Sequence, residues 1–230
     1  MPPEDIIVLD TLRAMRQIAN LVPRGYHRHV AGVVPADRAI RMVAKFMDLY
    51  GVAEPRALER RRRRRGEAIA RLVLCPDGRI EDGRIRWAML VSDHGAGPIV
   101  DHERLADARD KRHRIRVGWY ELVRVPRADM RPSWTWRAPP REWAAHVEHA
   151  CALARHASPD QAQRLIDHEM RRPGFRGLRA QRRELFRMMW LARGPRQPPL
   201  RIPARIPWVG MVHADGMRLG DYTAATHSAS

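Results

Sequence analysis

The sequence predicts an α+β fold, with a small central antiparallel sheet at about residues 68–137. N-terminal helices and a C-terminal segment of three helices pack on this sheet. Apolar residues recur at helical spacing in 4–50 and again in 141–193, whereas short β-rich runs broken by Gly and Pro occupy the middle. Short connections between those runs favour antiparallel pairing, and amphipathic helices need a sheet to cover.

Two amphipathic helices are predicted before the sheet. The first covers residues 4–22 and ends before Gly25, because glycine and proline stop the apolar pattern. The second begins with Asp37 as N-cap and ends at Gly51, which occupies the position typical of a C-terminal glycine. Residues 26–29, which lie between the two helices, are predicted to form a loop.

The middle of the chain predicts four strands and one helix. Runs at 69–75 and 85–91 are joined by a polar, glycine-containing loop, as in a hairpin with a long connection. Residues 101–114 are polar and predict an exposed helix. Residues 115–125 and 133–137 then alternate in polarity and predict two further strands.

After two consecutive prolines the helical pattern returns. The first predicted helix has an apolar stripe over 143–154 and ends near Pro159. The second and third are predicted at 160–172 and 178–193, and each is stopped by proline and glycine. The following tail is proline-rich and is expected to be flexible, with one short regular stretch at 208–212. The predicted organisation has five parts: an N-terminal helical segment at 1–58, an Arg-rich connector at 59–66, a β core with one helix at 67–137, a helical segment at 138–194 and a flexible tail at 195–230.

The charge of the chain restricts its partners. Its 230 residues include 43 Lys and Arg against 26 Asp and Glu, which gives a net charge of +17 and an isoelectric point of 11.4. Only two of the basic residues are lysine, a bias that explains the choice of arginine but not the excess charge. Nucleic acid would bind such a protein through counterion release. The expected partner is therefore DNA or RNA, with an acidic protein as the alternative.

The remaining composition predicts a cytoplasmic protein. Cys75 and Cys151 are far apart and show no CxxC pairing, which is typical of a reducing compartment. The N-terminus lacks the basic region of a signal peptide, and no apolar run is long enough to cross a membrane. We expect no membrane association.

Six consecutive arginines, Arg60, Arg61, Arg62, Arg63, Arg64 and Arg65, are the strongest local signal in the sequence. Their guanidinium groups repel one another, and no core can hold them. The run is therefore expected to lie in solvent or against a polyanion.

The last predicted helix presents a second basic surface. On a helical wheel Leu185 and Met189 belong to the core face. Arg182 is placed on the opposite face. Seven residues on this helix or just before it are expected to bind nucleic acid: Arg172, Arg176, Arg179, Arg183, Arg187, Phe186 and Trp190. Arginine suits phosphates and aromatic rings stack on bases, but the same rings also suit packing against a neighbouring element.

A short glycine motif precedes this helix. Residues 174–177 read Gly-Phe-Arg-Gly, the form of the loop with which KH domains clamp a nucleic-acid backbone. The β-α-α-β order around that loop is not visible here. We therefore expect an ordinary helix–helix turn.

One segment offers a catalytic alternative. Asp93, His94 and Asp101 follow a predicted strand within residues 93–103 and supply carboxylates and an imidazole for a metal-dependent nuclease. The segment lacks the complete phosphate-loop patterns, and an ordinary polar turn with Asp101 as N-cap is favoured.

The histidines do not predict a metal site. His146 and His149 lie on one helix near Cys151, but zinc needs four converging ligands with paired spacings. No metal and no cofactor are expected.

Taken together, these patterns predict a strongly basic, non-catalytic nucleic-acid-binding protein that assists replication, transfer or RNA processing. The alternatives are a metal-dependent nuclease that uses residues 93–103 and a basic adaptor for an acidic protein. An enzyme is not favoured. The sequence does not distinguish DNA from RNA or single from double strands.

Overall fold

The computed structural model describes residues 1–127, 130–195, 198–207 and 216–228. The chain divides into two compact units. Unit 1 comprises Met1–Gly118, Leu122–Trp134 and His213–Ser230, and unit 2 comprises Trp119–Glu121 and Thr135–Val212.

The strands of the described residues form two sheets. In chain order they are β1 (Ile7–Val8), β2 (Arg28–Pro35), β3 (Ala70–Pro76), β4 (Arg84–Val91), β5 (Ala106–Asp107), β6 (Arg116–Val117), β7 (Tyr120–Arg127), β8 (Met130–Arg137) and β9 (Met217–Arg218). The larger sheet has the order β5-β2-β4-β3-β1-β9, and the smaller one has the order β6-β7-β8.

The larger sheet is mixed. β2, β3 and β4 pair antiparallel, and Met89 of β4 lies opposite both Val30 and Leu72. β1 pairs parallel with β3, with Val8 opposite Leu74. The sheet is therefore not purely antiparallel, and it takes two of its strands from before residue 68.

Helices of unit 1 pack on this sheet. They are α1 (Thr11–Leu21), α2 (Ala36–Tyr50), α3 (Arg56–Arg64), α4 (Pro98–His102) and α8 (Leu219–Ser228). The Asp10 side chain caps α1 by accepting a hydrogen bond from the Arg13 amide at 2.9 Å. Gly51 ends α2 in the left-handed conformation, as the sequence predicts.

Unit 2 contains three helices whose bounds agree closely with the predicted ones: α5 (Pro140–His156), α6 (Pro159–Arg171) and α7 (Arg176–Arg193). Ala150, Ile166, Leu185, Phe186 and Met189 form the centre of its core. The turn between α6 and α7 includes Gly174, so the helix–helix turn is confirmed.

The α+β class is confirmed, but four local predictions are wrong. The loop expected at 26–29 runs directly into β2. A regular helix at 101–114 is absent from this fully described stretch, because Asp107 and Asp110 accept hydrogen bonds from the amides two residues later and thereby stabilise turns. Residues 60–64 of the arginine run belong to α3 and Arg65 is its C-cap, so the run is not a separate connector. Trp119 lies in the turn between β6 and β7, not in a strand.

The tail also differs from the predicted flexible segment. Residues 217–228 form β9 and α8, in which Leu219 and Tyr222 are buried with Val8 and Leu74. Tertiary burial stabilises this helix although its sequence includes Gly220, Thr223 and Thr226, which are weak helix formers. The regular stretch expected at 208–212 lies outside the described residues.

Candidate nucleic-acid interface

Two side chains of α3, those of Glu59 and Arg62, hold the helix that carries the arginine run against the rest of unit 1. Glu59 is buried and accepts a 2.7 Å hydrogen bond from Arg71 of β3. Arg62 donates to the Tyr50 carbonyl and to Glu67, each at 2.9 Å, and lies 3.4 Å from Glu54. Because Glu59 and Arg62 are three residues apart, both lie on the inner side of the helix. The arginines of the last helical turn also lie at the negative end of the helix dipole, a favourable place for positive charge.

The other arginines of the run are exposed, which confirms the predicted solvent position for Arg60, Arg61, Arg63, Arg64 and Arg65. Arg65 pairs with Glu67 at 2.9 Å. Within the described part of the chain, no carboxylate pairs with Arg60, Arg61 or Arg64. The run therefore carries positive charge that the rest of the described structure does not neutralise.

Three arginines of α3 and one from the short turn that follows α1 line a single cleft, which we call the arginine groove. Arg56, Arg60 and Arg63 recur at intervals of four and three residues and meet Arg24 around a volume of about 400 Å³. Tyr26 is 5% exposed and lies beneath them. Arg63 donates to the Tyr26 hydroxyl at 2.5 Å, with its guanidinium 5.9 Å from the ring centre. The groove thus presents several guanidinium groups on a fixed aromatic base.

A second cleft of about 360 Å³ adjoins the groove and shares Arg24, Tyr26 and Arg63 with it. Its other wall is the loop after β4, which includes Ser92, Asp93, His94 and Gly95. The Gly95 backbone has φ 106°, and a Cβ atom there would lie 2.4 Å from the Ala68 amide nitrogen. Only glycine allows this loop to pass so close to the start of β3.

Asp93 fixes a histidine that the sequence does not place beside it. His27 Nδ1 lies 2.6 Å from Asp93 Oδ2, and the His27 amide donates to Oδ1 at 3.2 Å. The Asp93 amide in turn donates to the Gly25 carbonyl at 2.8 Å. Both side chains are 17% exposed. The carboxylate therefore orients the imidazole through two separate contacts.

Arg109 completes this cluster. It forms a bidentate ion pair with Asp107, with contacts of 3.0 and 2.6 Å, and its Nη1 lies 3.8 Å from Asp93 Oδ2. These hydrogen bonds hold the pKa of the Asp107 carboxyl below its usual value. The Trp134 ring lies 5.8 Å from that of His27. The Asp93 carboxylate thus has an imidazole and a guanidinium beside it, and an indole ring lies next to the imidazole.

The structure does not bring the three catalytic candidates together. His94 is exposed in the loop, and Asp101 is exposed on α4 rather than serving as its N-cap, which is Gly97. In the part of the chain that is described, no three histidine, cysteine or acidic side chains are grouped so that they could hold a metal ion. Of the three candidates, only Asp93 belongs to a polar cluster.

The basic surface of α7 in unit 2 is smaller than the wheel predicts. Trp190 is 61% exposed, and Arg183 and Arg187 are exposed beside it. Arg187 pairs with Glu184 at 2.7 Å. Arg183, Phe186, Arg187 and Trp190 border a groove of about 280 Å³, although Phe186 itself is only 2% exposed.

The predicted positions of Phe186, Arg179 and Arg182 are wrong. Phe186 belongs to the core of unit 2, so its ring is not available to stack on a base. Arg179 is 8% exposed and Arg182 is 2% exposed. Arg182 donates to the carbonyls of Glu169 and Pro173 at 2.8 and 2.7 Å. It donates to carbonyls at the end of α6 and in the turn that follows, a role that a wheel does not show.

Arg172 and Arg176 also differ from the expected phosphate-binding pair. The Arg172 guanidinium lies 4.7 Å from the centre of the Trp119 ring and pairs with buried Glu169 at 3.0 Å. Arg176 is half-buried at the start of α7. Glu169 also contacts His146 Nε2 at 3.0 Å, so this histidine belongs to an aromatic and ionic cluster.

Sequence reasoning missed Arg24, Tyr26, His27 and Arg109 as site residues. Arg28 of β2 lies opposite Val91 of β4, and this register brings residues 27 and 93 together. The Tyr-His-Arg-His run at 26–29 was the available signal. Without a prediction of β2, however, the sequence places this run in a loop and not beside Asp93.

Comparison with known proteins found no matching family model, curated protein or solved structure. Among the described residues, no helix has both the length and the apolar character needed to span a bilayer.

Proposed function

We propose that this protein binds nucleic acid through the arginine groove and the exposed arginines next to it on α3. One observation carries the proposal: Arg60, Arg61 and Arg64 are exposed without a carboxylate partner in the described residues, on a helix that Glu59 and Arg62 hold in place. Because the helix is held in place, it presents these guanidinium groups at regular intervals, and each of them can contact a phosphate.

The groove contains features that favour a polyanion over a small acid. It is open and lined by Arg24, Arg56, Arg60 and Arg63, so several phosphates can be contacted at once. The exposed arginines continue the positive surface to the end of α3. The surface of α7 around Arg183 and Trp190 is a second contact region within this proposal, because an exposed indole beside guanidinium groups suits an unpaired base.

The decisive test is a charge-matched pair of triple variants. In the first, Arg60, Arg61 and Arg64 become glutamine, which preserves the helix and removes three charges. In the control, Arg38, Arg41 and Lys45 on the exposed side of α2 become glutamine. Fluorescence anisotropy with a labelled duplex is measured over a salt series. We expect the first variant to lose affinity. The slope of log affinity against log salt concentration should also become less steep, by the amount that corresponds to up to about three phosphate contacts.

The control variant should lose much less affinity than the first variant at the same net charge. Equal losses in the two variants would show diffuse attraction rather than a site on α3. If neither variant nor the wild type binds an oligonucleotide at low salt, the proposal fails and an acidic protein becomes the better partner.

A further inference from the structure

The side chains around Asp93 are suited to acid–base chemistry, which the binding of nucleic acid does not require. Asp93 Oδ2 accepts at 2.6 Å from His27 Nδ1, and a carboxylate can only accept, so this contact places a proton on Nδ1. The other ring nitrogen, Nε2, is then the basic one in a neutral imidazole. Within the described structure Nε2 has no hydrogen-bond partner and is not among the buried unpaired polar atoms. It is therefore available to a bound molecule.

The groups around His27 suit a nucleotide. Arg109 is 51% exposed and held by Asp107, so its guanidinium has a fixed position 3.8 Å from Asp93. The Trp134 ring lies 5.8 Å from the imidazole and is half-buried. A guanidinium can contact a phosphate and an indole can stack on a base, so both parts of a nucleotide have a partner in the cluster around His27.

We propose that this protein cleaves RNA with His27 as the general base. Asp93 is the residue that positions the His27 imidazole. This inference rests on the proposed binding of nucleic acid. His27 Nε2 accepts the proton of a ribose 2′-hydroxyl, the 2′-oxygen forms a bond to the adjacent phosphorus, and the bond from phosphorus to the 5′-oxygen breaks. The departing 5′-oxygen takes a proton from solvent, and Nε2 later returns its own proton to solvent. The products are a 2′,3′-cyclic phosphate and a 5′-hydroxyl.

The nucleophile identifies the substrate class. A 2′-hydroxyl is already next to the phosphorus, so one oriented base is enough to begin the reaction. DNA lacks this hydroxyl. The geometry therefore points to RNA, whereas the arginine groove alone does not distinguish the two nucleic acids.

The test uses a labelled DNA strand that contains one ribonucleotide, with an all-DNA strand of the same sequence as the substrate control. Reactions contain EDTA, and the full chain is used. The wild type should cut only at the ribonucleotide and leave a cyclic phosphate. His27→Asn keeps a donor to Asp93 but lacks Nε2, and should be at least about 100-fold slower. His149→Ala, an exposed histidine on α5, should cut at the wild-type rate.

Chemical rescue separates the catalytic role from a structural one. Free imidazole should restore part of the activity of His27→Ala and should not accelerate the wild type. Asp93→Asn should slow cleavage while leaving strand affinity unchanged. Binding is measured on the same samples, so a bound but uncut strand overturns the catalytic role alone, whereas an unbound strand overturns the proposed function as well. Equal cleavage by His27→Asn and the wild type also overturns the inference.

Discussion

Individual arginines in this chain have opposite roles despite their identical chemistry. Arg182 is buried among carbonyls at the end of α6, and burial lowers its pKa. Arg62, near the middle of the six-residue run, is held by Glu67 and the Tyr50 carbonyl, whereas Arg61 next to it is exposed. The position of each on its element decides whether it stabilises the fold or is available to a ligand. Residue type alone therefore predicts the charge of the surface but not its distribution.

His29 should make the stability of the protein depend on pH. Its side chain is 6% exposed, and burial lowers its pKa below the ordinary value of 6.5; Asp107 opposes this shift and His113 adds to it. The unfolded chain therefore binds a proton more readily than the folded chain. The contribution of His29 to the free energy of unfolding should be constant above about pH 6.5 and should fall as the pH decreases from there toward the lower folded pKa.

His29→Gln removes this titration, so its free energy of unfolding should depend less on pH in that range. The exposed His149→Gln variant should keep the dependence of the wild type. Denaturant unfolding at a series of pH values measures both. A His29→Gln variant with the wild-type dependence would show that the folded chain accommodates the charged imidazole without cost.

At the level of elements, local patterns predicted most helices well and the strands unevenly. α5, α6 and α7 have caps and stops within a few residues of those expected, because proline, glycine and Ser158 act locally. β2 was missed because its strand signal is interrupted by Gly32, where a Cβ atom would lie 3.0 Å from the Trp87 ring. That glycine accommodates a neighbour more than 50 residues away, which a local pattern does not reveal.

Two aromatic residues on α7, one buried and one exposed, should respond differently when each is replaced by alanine. Phe186 is 2% exposed and Trp190 is 61% exposed, although they are one turn apart. Phe186→Ala should cost about 3–5 kcal/mol of stability, as expected for a core ring. Trp190→Ala should cost less than about 0.5 kcal/mol of stability, as expected at a surface.

Trp190→Ala should nevertheless weaken binding of a single strand by about 1–3 kcal/mol, the size of one stacking contact, with little change in salt slope. Thermal melts and anisotropy on the same samples measure both quantities. A stable Trp190→Ala variant with undiminished affinity would remove α7 from the binding surface and leave the arginine groove of unit 1 unaffected.

At the scale of the whole molecule, the sequence predicted the α+β class because the alternation of periodic segments is visible along the chain. It did not predict that the larger sheet is mixed. The parallel pairing of β1 with β3 joins Val8 to Leu74, and that contact leaves no local pattern. The sequence also predicted only part of the candidate site. The exposed arginines were identified, whereas His27 and Asp93 meet only through the register of β2 and β4.

The net charge of +17 and the contacts of individual arginines together predict a moderate salt dependence of binding. If the whole excess acted on duplex DNA, the log–log slope would approach about −15. Many arginines are paired with carboxylates of the protein, however, as Arg62, Arg71 and Arg86 are. We expect a slope steeper than about −3, set by the groove and the exposed end of α3, and well short of that limit. Affinity measured by anisotropy across a salt series gives this slope directly. A value near the limit would indicate that the entire surface attracts DNA without a defined site, and a flat line would show that phosphate contacts contribute little.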